Sequence, residues 1–134
     1  MTKYAAYGTL LKRVATTIAQ VSNISGPGLS LDTEDVTTHD STGAWEEVVG
    51  TILRSGEVTL EIVYDPAAAT HKNAAGGLLH DLASRAAVAY VLVFPSAAEW
   101  SFNALVTGFE PSAPVDGALT ASVSMKVTGV PTLA

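Results

Sequence analysis

The sequence has 134 residues, of which 48% are apolar and 15% charged, and its formal net charge is −6. This length predicts a single domain, residues 1–134, with its own core. The acidic balance excludes a protein that grips nucleic acid, because neutralising phosphates supplies most of such affinity. Without cysteine the chain has neither disulfides nor thiolate metal sites. The low charge favours a surface buried against partners.

No targeting or membrane segment is evident in the sequence. The N-terminus lacks the long apolar core of a signal peptide. The longest apolar run, Ala86 to Phe94, is far shorter than the roughly 20 residues of a membrane helix. We therefore expect synthesis and folding in the cytoplasm and no contact with a membrane.

The first third of the chain predicts an arm and two strands. Residues 1–8 form a flexible N-terminal arm in this interpretation. β-Branched residues favour a strand from about Leu10 to Ile24, and the following Ser25-Gly26-Pro27-Gly28 predicts a turn. The run Leu29 to Val36 then predicts a second strand, with Leu29 and Leu31 facing the core.

Residues 37–56 predict a long inter-strand loop, which is least regular from Thr37 to Val49. It carries Trp45 and the acidic pair Glu46 and Glu47. Trp45 either contacts a partner or folds back on the core, and a lone tryptophan more often does the latter.

The run Glu57 to Asp65 predicts a strand with strict alternation. Its apolar face contains Val58, Leu60, Ile62 and Tyr64, and its polar face contains Glu57, Thr59, Glu61 and Asp65. The segment from about Ala68 to Ala87 predicts the one convincing helix, because Leu78, Leu79, Leu82 and Ala86 recur at helical spacing. The pair Gly76-Gly77 weakens the first half of this helix.

Three further strands complete the pattern. They cover residues 86–95, 99–109 and 118–128, and the last has a face of hydroxyl side chains that includes Thr120, Ser122 and Ser124. The elements predict a mainly β fold, a sandwich or barrel with one packed helix.

Candidate chemistry is sparse. His71 and His80 are nine residues apart, which is not the i, i+4 spacing of a helical zinc pair, and His80-Asp81 is expected on a solvent-exposed helix face. The sequence has neither a G-x-S-x-G elbow nor a phosphate loop. We predict no catalytic, cofactor or metal site, and a small enzyme has no residue constellation to support it.

The order of segments resembles the major tail tube proteins of long-tailed, non-contractile bacteriophages. The resemblance covers roughly Ile18 to the C-terminus and is carried by order and spacing together. The most specific segments are SGEVTLEIVYDP, which ends at Pro66, and GFEPSAPVDGALTASVSMKVTG, which begins at Gly108. Between them lie the helix with Leu78-Leu79 and the strand that contains Trp100.

The resemblance implies a β-sandwich-like subunit with a flanking helix that forms hexameric rings. Stacked rings make a tube in the virion tail, which conducts DNA without binding it specifically. It further implies assembly in the host cytoplasm and contacts with a tape measure protein and tail-end proteins. Some relatives carry an additional C-terminal immunoglobulin-like domain, which we do not expect here because the last predicted strand ends just before Ala134. A closed barrel removes exposed sheet edges, and the acidic balance suits a conduit for phosphates.

Two sets of site residues follow as hypotheses. The long loop between early strands commonly bridges rings in the family, so we assign ring stacking to Asp40, Trp45, Glu46 and Glu47. We assign the lumen to Glu57, Thr59 and Glu61, with Thr120, Ser122 and Ser124 as the next choice. Alternation alone does not say which polar face points inward.

The rival interpretation is a monomeric β-sandwich binding module for a glycan or a protein partner, with Trp45 as its anchor. Glycan-binding modules often array aromatic residues on one face. Here the aromatic residues fall mainly at predicted inward positions, which counts against this function.

Overall fold

The computed structural model describes residues 2–133, and its largest element is a seven-stranded antiparallel sheet. In chain order the strands are β1 (Leu10–Arg13), β2 (Thr16–Thr17), β3 (Val21–Ser25), β4 (Ser30–Asp35), β5 (Val48–Arg54), β6 (Glu57–Val63), β7 (Val88–Val93), β8 (Glu99–Ser112) and β9 (Thr120–Thr132). The helix α1 (Leu78–Ser84) lies between β6 and β7 in the chain. The main sheet has the order β2-β1-β7-β8-β9-β6-β3, and β4 and β5 form a separate hairpin.

The core lies on one face of the main sheet, which curls so that β1 contacts β3. Alternate residues of β6 are fully buried, namely Val58, Leu60 and Ile62. Their cross-strand neighbours on β9 are Met125, Val123 and Ala121, which are also buried. Leu78 of α1 completes this core. The prediction of a mainly β fold with a flanking helix is confirmed for the described residues.

The predicted strand from Leu10 to Ile24 is instead three short strands. The backbone turns at Val14 and Gln20, both of which adopt positive φ, at 58° and 57°. Non-glycine residues rarely adopt this conformation, so composition gave no sign of either turn. Ile18, between these turns, is 3% exposed and belongs to the core.

The predicted helix is much shorter than residues 68–87, since α1 covers only Leu78–Ser84. A side chain at Gly77 would collide with the carbonyl oxygen of Lys72, so the chain folds back too tightly there for a continuous helix. His71 is fully buried in this folded-back segment. Its Nδ1 accepts a hydrogen bond from the Asp65 amide at 3.3 Å, and its Nε2 lies 2.7 Å from the Ala19 carbonyl oxygen.

The expectation that His80-Asp81 lies on an exposed helix face is wrong for Asp81, which is 2% exposed. Arg13 of β1 donates two hydrogen bonds of 2.8 Å to the Asp81 carboxylate. The Tyr90 hydroxyl of β7 donates a third, at 2.6 Å. Burial alone would raise the pKa of Asp81, but the hydrogen bonds from Arg13 and Tyr90 outweigh it and lower the pKa below its ordinary value. This cluster ties α1 to the sheet.

The long loop predicted over residues 37–56 is wrong at its C-terminal end, where Val48–Arg54 forms β5 and pairs with β4. Leu29 and Leu31 do not face the core as predicted, and they are 43% and 53% exposed. Every residue of β5 is exposed. The β4–β5 hairpin therefore projects from the main sheet without contributing to its core.

Candidate assembly surfaces

The structure places both predicted lumen sets on a single surface. In the β6–β9 register, Thr59 is opposite Ser124 and Glu61 is opposite Ser122. Residues directly opposite in an antiparallel pair lie on the same face. The two alternatives of the sequence hypothesis are therefore neighbours. Val63, rather than Glu61, is opposite Thr120, and Lys126, which the hypothesis did not include, is opposite Glu57.

We call the side of β3, β6, β9 and β8 opposite the core the open face. It includes Asn23 on β3, next to Glu61, and Glu110 on β8, next to Ser122. Among the predicted lumen residues, Glu57, Thr59, Glu61 and Ser122 are exposed, whereas Thr120 and Ser124 are half-buried. A shallow depression of about 240 Å³ runs between Asn23, Thr59, Glu61, Ser122 and Ser124. The open face is mainly polar, and Val63 on β6 is an exposed apolar side chain on it.

Three carboxylates and one ammonium group dominate the electrostatics of the open face. They belong to Glu57, Glu61, Glu110 and Lys126. Glu57 and Lys126 are opposite each other, so their charges offset locally. Glu61 and Glu110 flank Ser122 from either side. The open face is thus net acidic, most strongly near the end of β6.

The predicted stacking residues Asp40, Trp45, Glu46 and Glu47 all lie in the loop at the tip of the β4–β5 hairpin. Hydrogen bonds between backbone amides and side-chain hydroxyls shape this loop. The Thr37 hydroxyl accepts from the Glu47 amide at 2.8 Å, and the Ser41 hydroxyl accepts from the Thr38 amide at 3.0 Å. A short 3-10 turn, Thr42–Ala44, precedes Trp45.

Trp45 is 77% exposed, so the interpretation in which it folds back on the core is wrong. A Cβ at Gly43 would lie 3.1 Å from Cδ1 of the indole, which therefore rests against the Gly43 backbone. Gly43 has a φ of 65°, a conformation that glycine adopts without strain. The loop thus presents one large apolar side chain beside acidic residues.

The hairpin also contains apolar residues that the sequence hypothesis missed. Exposed side chains on its two strands and at their ends are Leu29, Leu31, Val36, Val48, Val49, Ile52 and Leu53. A two-stranded hairpin is marginally stable by itself in water, and an exposed apolar patch of this kind marks an interaction site. The sequence does not predict this exposure. Apolar and polar residues do not alternate along β5, so its pattern does not indicate which side chains face solvent.

Charge is also concentrated in the hairpin. Of the 13 acidic residues in the chain, six lie between Ser30 and Arg54. They are Asp32, Glu34, Asp35, Asp40, Glu46 and Glu47, and Arg54 is the one lysine or arginine in this stretch. Arg54 Nε lies 2.8 Å from the Asp32 carboxylate. The hairpin is therefore acidic as well as apolar.

The described residues contain neither a metal-binding cluster nor a membrane-spanning helix. Between residues 2 and 133, no group of three or more His, Asp or Glu side chains could hold a metal ion. No helix in this part of the chain is long and apolar enough to cross a membrane. Phe94 and Trp100 pack against the core and against each other, with ring centroids 5.3 Å apart, whereas Tyr4, Tyr7 and Trp45 are exposed.

Comparison with solved structures finds the same fold in phage-like particles. The virion of a native gene transfer agent contains a chain with a TM-score of 0.82 and 16% identity, covering 98% of this chain and 99% of that one. The tail of an empty gene transfer agent particle, with C6 symmetry, matches with a TM-score of 0.78, 15% identity and coverage of 98% and 99%. The sheath-tube complex of an extracellular contractile injection system matches with a TM-score of 0.70, 14% identity and coverage of 98% and 93%.

Comparison with curated proteins gives no match. The family model described as lambda phage tail tube protein, TTP, matches residues 3–134, nearly the whole chain. The segment order in the sequence, the curled sheet and the family model all agree. The chain belongs to the lambda phage tail tube protein family.

Proposed function

We propose that six copies of this chain form a ring, and that stacked rings make the hollow tube of a virion tail through which DNA passes. The chain is a structural subunit in this function, and it performs no catalysis. The observation that carries the proposal is the main sheet itself, which packs its core on one face and leaves the open face polar and net acidic. An acidic wall does not hold passing phosphates, as a basic wall would.

Two strand edges of the main sheet that lack a partner in the described part of the chain, one on β3 and one at the end of β8, support closure of the ring. β3 is the last strand of the main sheet, so one of its edges has no strand partner among residues 2–133. β8 pairs with β7 only as far as Ala104, and residues 110–112 of β8 are exposed. Copies related by rotation about an axis along the strands would bring β3 of one copy antiparallel to β8 of the next. Such pairing removes both free edges.

Under this arrangement the open face lines the lumen, with Glu57, Thr59 and Glu61 on β6 and Thr120, Ser122 and Ser124 on β9. Lys126 and Glu110 join this set. Because the two strands are direct neighbours, a lumen that contains one set contains the other.

Ring stacking is assigned to the β4–β5 hairpin, with Asp40, Trp45, Glu46 and Glu47 at its tip. The hairpin has exposed apolar side chains on both strands and no core of its own. A neighbouring ring would cover these side chains and supply the missing stabilisation. Further partners in this function are a tape measure protein within the tube and tail-end proteins at its termini.

The assembly is tested by negative-stain electron microscopy of the concentrated protein and of virions in which the chain is labelled. We expect six-fold rings or hollow tubes, and label along the tail. Monomers alone, together with absence of the label from any tail, would contradict the tube function and favour the binding module.

The lumen assignment is tested with the double variant Glu57→Lys and Glu61→Lys. Tubes should form normally, because both side chains are exposed, but DNA ejection should slow as the wall attracts phosphates. The matched control, Glu57→Gln with Glu61→Gln, removes charge without reversing it and should have a smaller effect. Normal ejection kinetics in the lysine variant would remove these residues from the lumen.

A further inference from the structure

An apolar groove of about 500 Å³ lies where the β4–β5 hairpin leaves the main sheet. One wall is formed by Leu29, Leu31 and Leu53 of the hairpin, and the other by Val130, Pro131 and Leu133 at the end of the chain. Leu53 is 80% exposed and Val130 is 94% exposed. Arg54 and Ser55 also line it and supply polar groups. The proposed contacts of the hairpin tip do not account for this groove at the hairpin base.

The loop that joins β8 to β9, residues 113–119, lies at the opposite end of the molecule. The register of β8 and β9 runs from Ser101 opposite Thr132, beside the groove, to Ser112 opposite Thr120, beside the loop. At about 3.4 Å per residue, this stretch of β8 spans roughly 35–40 Å. Groove and loop therefore cannot meet within one copy. They would face each other in copies stacked along the strand direction.

The loop presents a side chain that fits such a groove. Val115 is fully exposed, at 106%, and it lies between Pro114 and Asp116. The Gly117 amide donates to the Pro114 carbonyl at 3.4 Å, so the loop turns and carries Val115 at its bend. The loop thus has an apolar side chain beside a carboxylate. The groove has apolar walls beside the guanidinium of Arg54, whose Nε donates to the Asp32 carboxylate.

We propose that the 113–119 loop of a second copy docks in this groove, with Val115 between the leucine wall and the Val130 wall and Asp116 beside Arg54. The proposal rests on the tube function above and names a second contact between stacked rings. The contact joins two different surfaces, so it does not close on itself and repeats along the tube axis. It predicts an axial repeat of roughly 35–40 Å, or less if the strands tilt.

The N-terminal arm is the other exposed apolar segment, and it fits the groove less well. Tyr4, Ala5 and Ala6 already line a cleft of about 310 Å³ against Leu92 and Phe94 of the same copy. The arm would have to leave this cleft to reach the groove, whereas the 113–119 loop is free of such contacts in the same copy at Val115, which is fully exposed.

A disulfide cross-link tests the contact directly, because the natural chain has no cysteine. The double variant Ser55→Cys with Val115→Cys is oxidised in tubes, assembled in vitro or isolated from virions. We expect a ladder of covalent multimers on a denaturing gel, which neither single variant gives. The control pair is Ser96→Cys with Val115→Cys, since Ser96 is exposed and lies outside the groove. A ladder from the control pair only, or from neither pair in well-formed tubes, would overturn the docking.

A second variant keeps the test independent of cysteine geometry. Val115 is fully exposed in the monomer, so the substitution Val115→Ser should leave the thermal unfolding of the monomer unchanged. It should raise the protein concentration needed for tubes by roughly tenfold. Wild-type tubes with an unchanged requirement in Val115→Ser would contradict the docking alone. A wild-type chain that forms no tubes and is absent from tails would contradict the tube function itself.

Discussion

At the scale of single residues, the largest departure from the sequence-based expectations is Asp81. A carboxylate next to His80 on a short helix is ordinarily solvated, yet here it is buried with Arg13 and Tyr90. Burying a charge is costly unless it is paired and hydrogen-bonded. Arg13 precedes Asp81 by 68 residues, so the sequence around Asp81 could not show that the two side chains pair. The three side chains meet because the main sheet places β1 and β7 beside α1.

The Asp81 cluster makes stability depend on pH. The pKa of Asp81 is lowered in the folded chain, so its contribution is present above about pH 4, the ordinary range of an aspartate, and is lost as pH falls through the lower folded value. Replacing Asp81 with Asn should reduce the free energy of unfolding near pH 7 by about 3 kcal/mol, because Arg13 loses its partner.

Urea denaturation of both chains between pH 3 and 7 measures this difference. The gap between wild type and Asp81→Asn should narrow toward pH 3. The control Glu110→Gln changes an exposed carboxyl and should leave stability within about 0.5 kcal/mol. A gap that stays constant across the pH range would contradict the role given to the ionised carboxylate.

Trp45 is exposed in the monomer, and its proposed role in ring stacking can be tested by substitution. Trp45→Ala should leave monomer stability nearly unchanged, within about 0.5 kcal/mol, because the indole is 77% exposed. Tube formation should weaken by roughly tenfold or more in concentration if the indole is an interface anchor. Static light scattering against concentration measures this effect. Tyr7→Ala, at a side chain that is 95% exposed in the arm, is the matched control. Equal effects of the two variants would argue against a specific role for Trp45.

At the scale of elements, the main sheet has its own hydrophobic core, whereas the β4–β5 hairpin has none. β6, β8 and β9 share a core, whereas every residue of β5 is exposed. Elements with few buried contacts open at low free energy. The hairpin should therefore be the least stable sheet of the isolated subunit and should gain its stability on assembly.

Hydrogen exchange tests this expectation. Backbone amides of β5 should exchange quickly in the monomer and be protected at least tenfold more strongly in tubes. Amides of β6 and β9 should be protected in both states, because each of these strands has a strand partner on both sides. Strong protection of β5 in the monomer would mean that the hairpin does not depend on a neighbouring ring.

At the scale of the whole molecule, the distribution of charge is uneven. The net charge is −6, and the stretch from Ser30 to Arg54 holds six acids against one arginine. Stacking such subunits brings like charges together, which opposes association and is screened by salt. Apolar contacts must outweigh this repulsion.

Tube assembly should therefore become easier as ionic strength rises from about 0.05 M to 0.3 M. The double variant Glu46→Gln with Glu47→Gln should assemble at lower concentration at low salt and show a weaker salt dependence. Sedimentation of tubes across a salt series measures both effects. Wild-type assembly that weakens as salt rises would show that the hairpin instead meets a basic surface of the neighbouring ring.

The sequence by itself determined four strands of the main sheet, β6 to β9, and which faces of β6 and β9 are buried, whereas it merged β1, β2 and β3 into one strand. Apolar and polar residues alternate along β6 and β9. Because successive side chains of a strand point to opposite faces, this alternation predicts one buried face and one exposed face. It also determined the family resemblance, through the order of segments, and it predicted the hydroxyl and carboxyl faces as separate candidates.

Only the tertiary structure showed that the hydroxyl face of β9 and the carboxyl face of β6 are adjacent parts of one surface. Register between strands distant in sequence put Glu61 beside Ser122 and merged the two lumen candidates. The short extent of α1, the burial of His71 and Asp81 and the projection of the hairpin also depend on contacts between distant segments. Pattern along the chain reports which side of an element is buried. It does not report which element lies on the other side, because many partners satisfy the same apolar face.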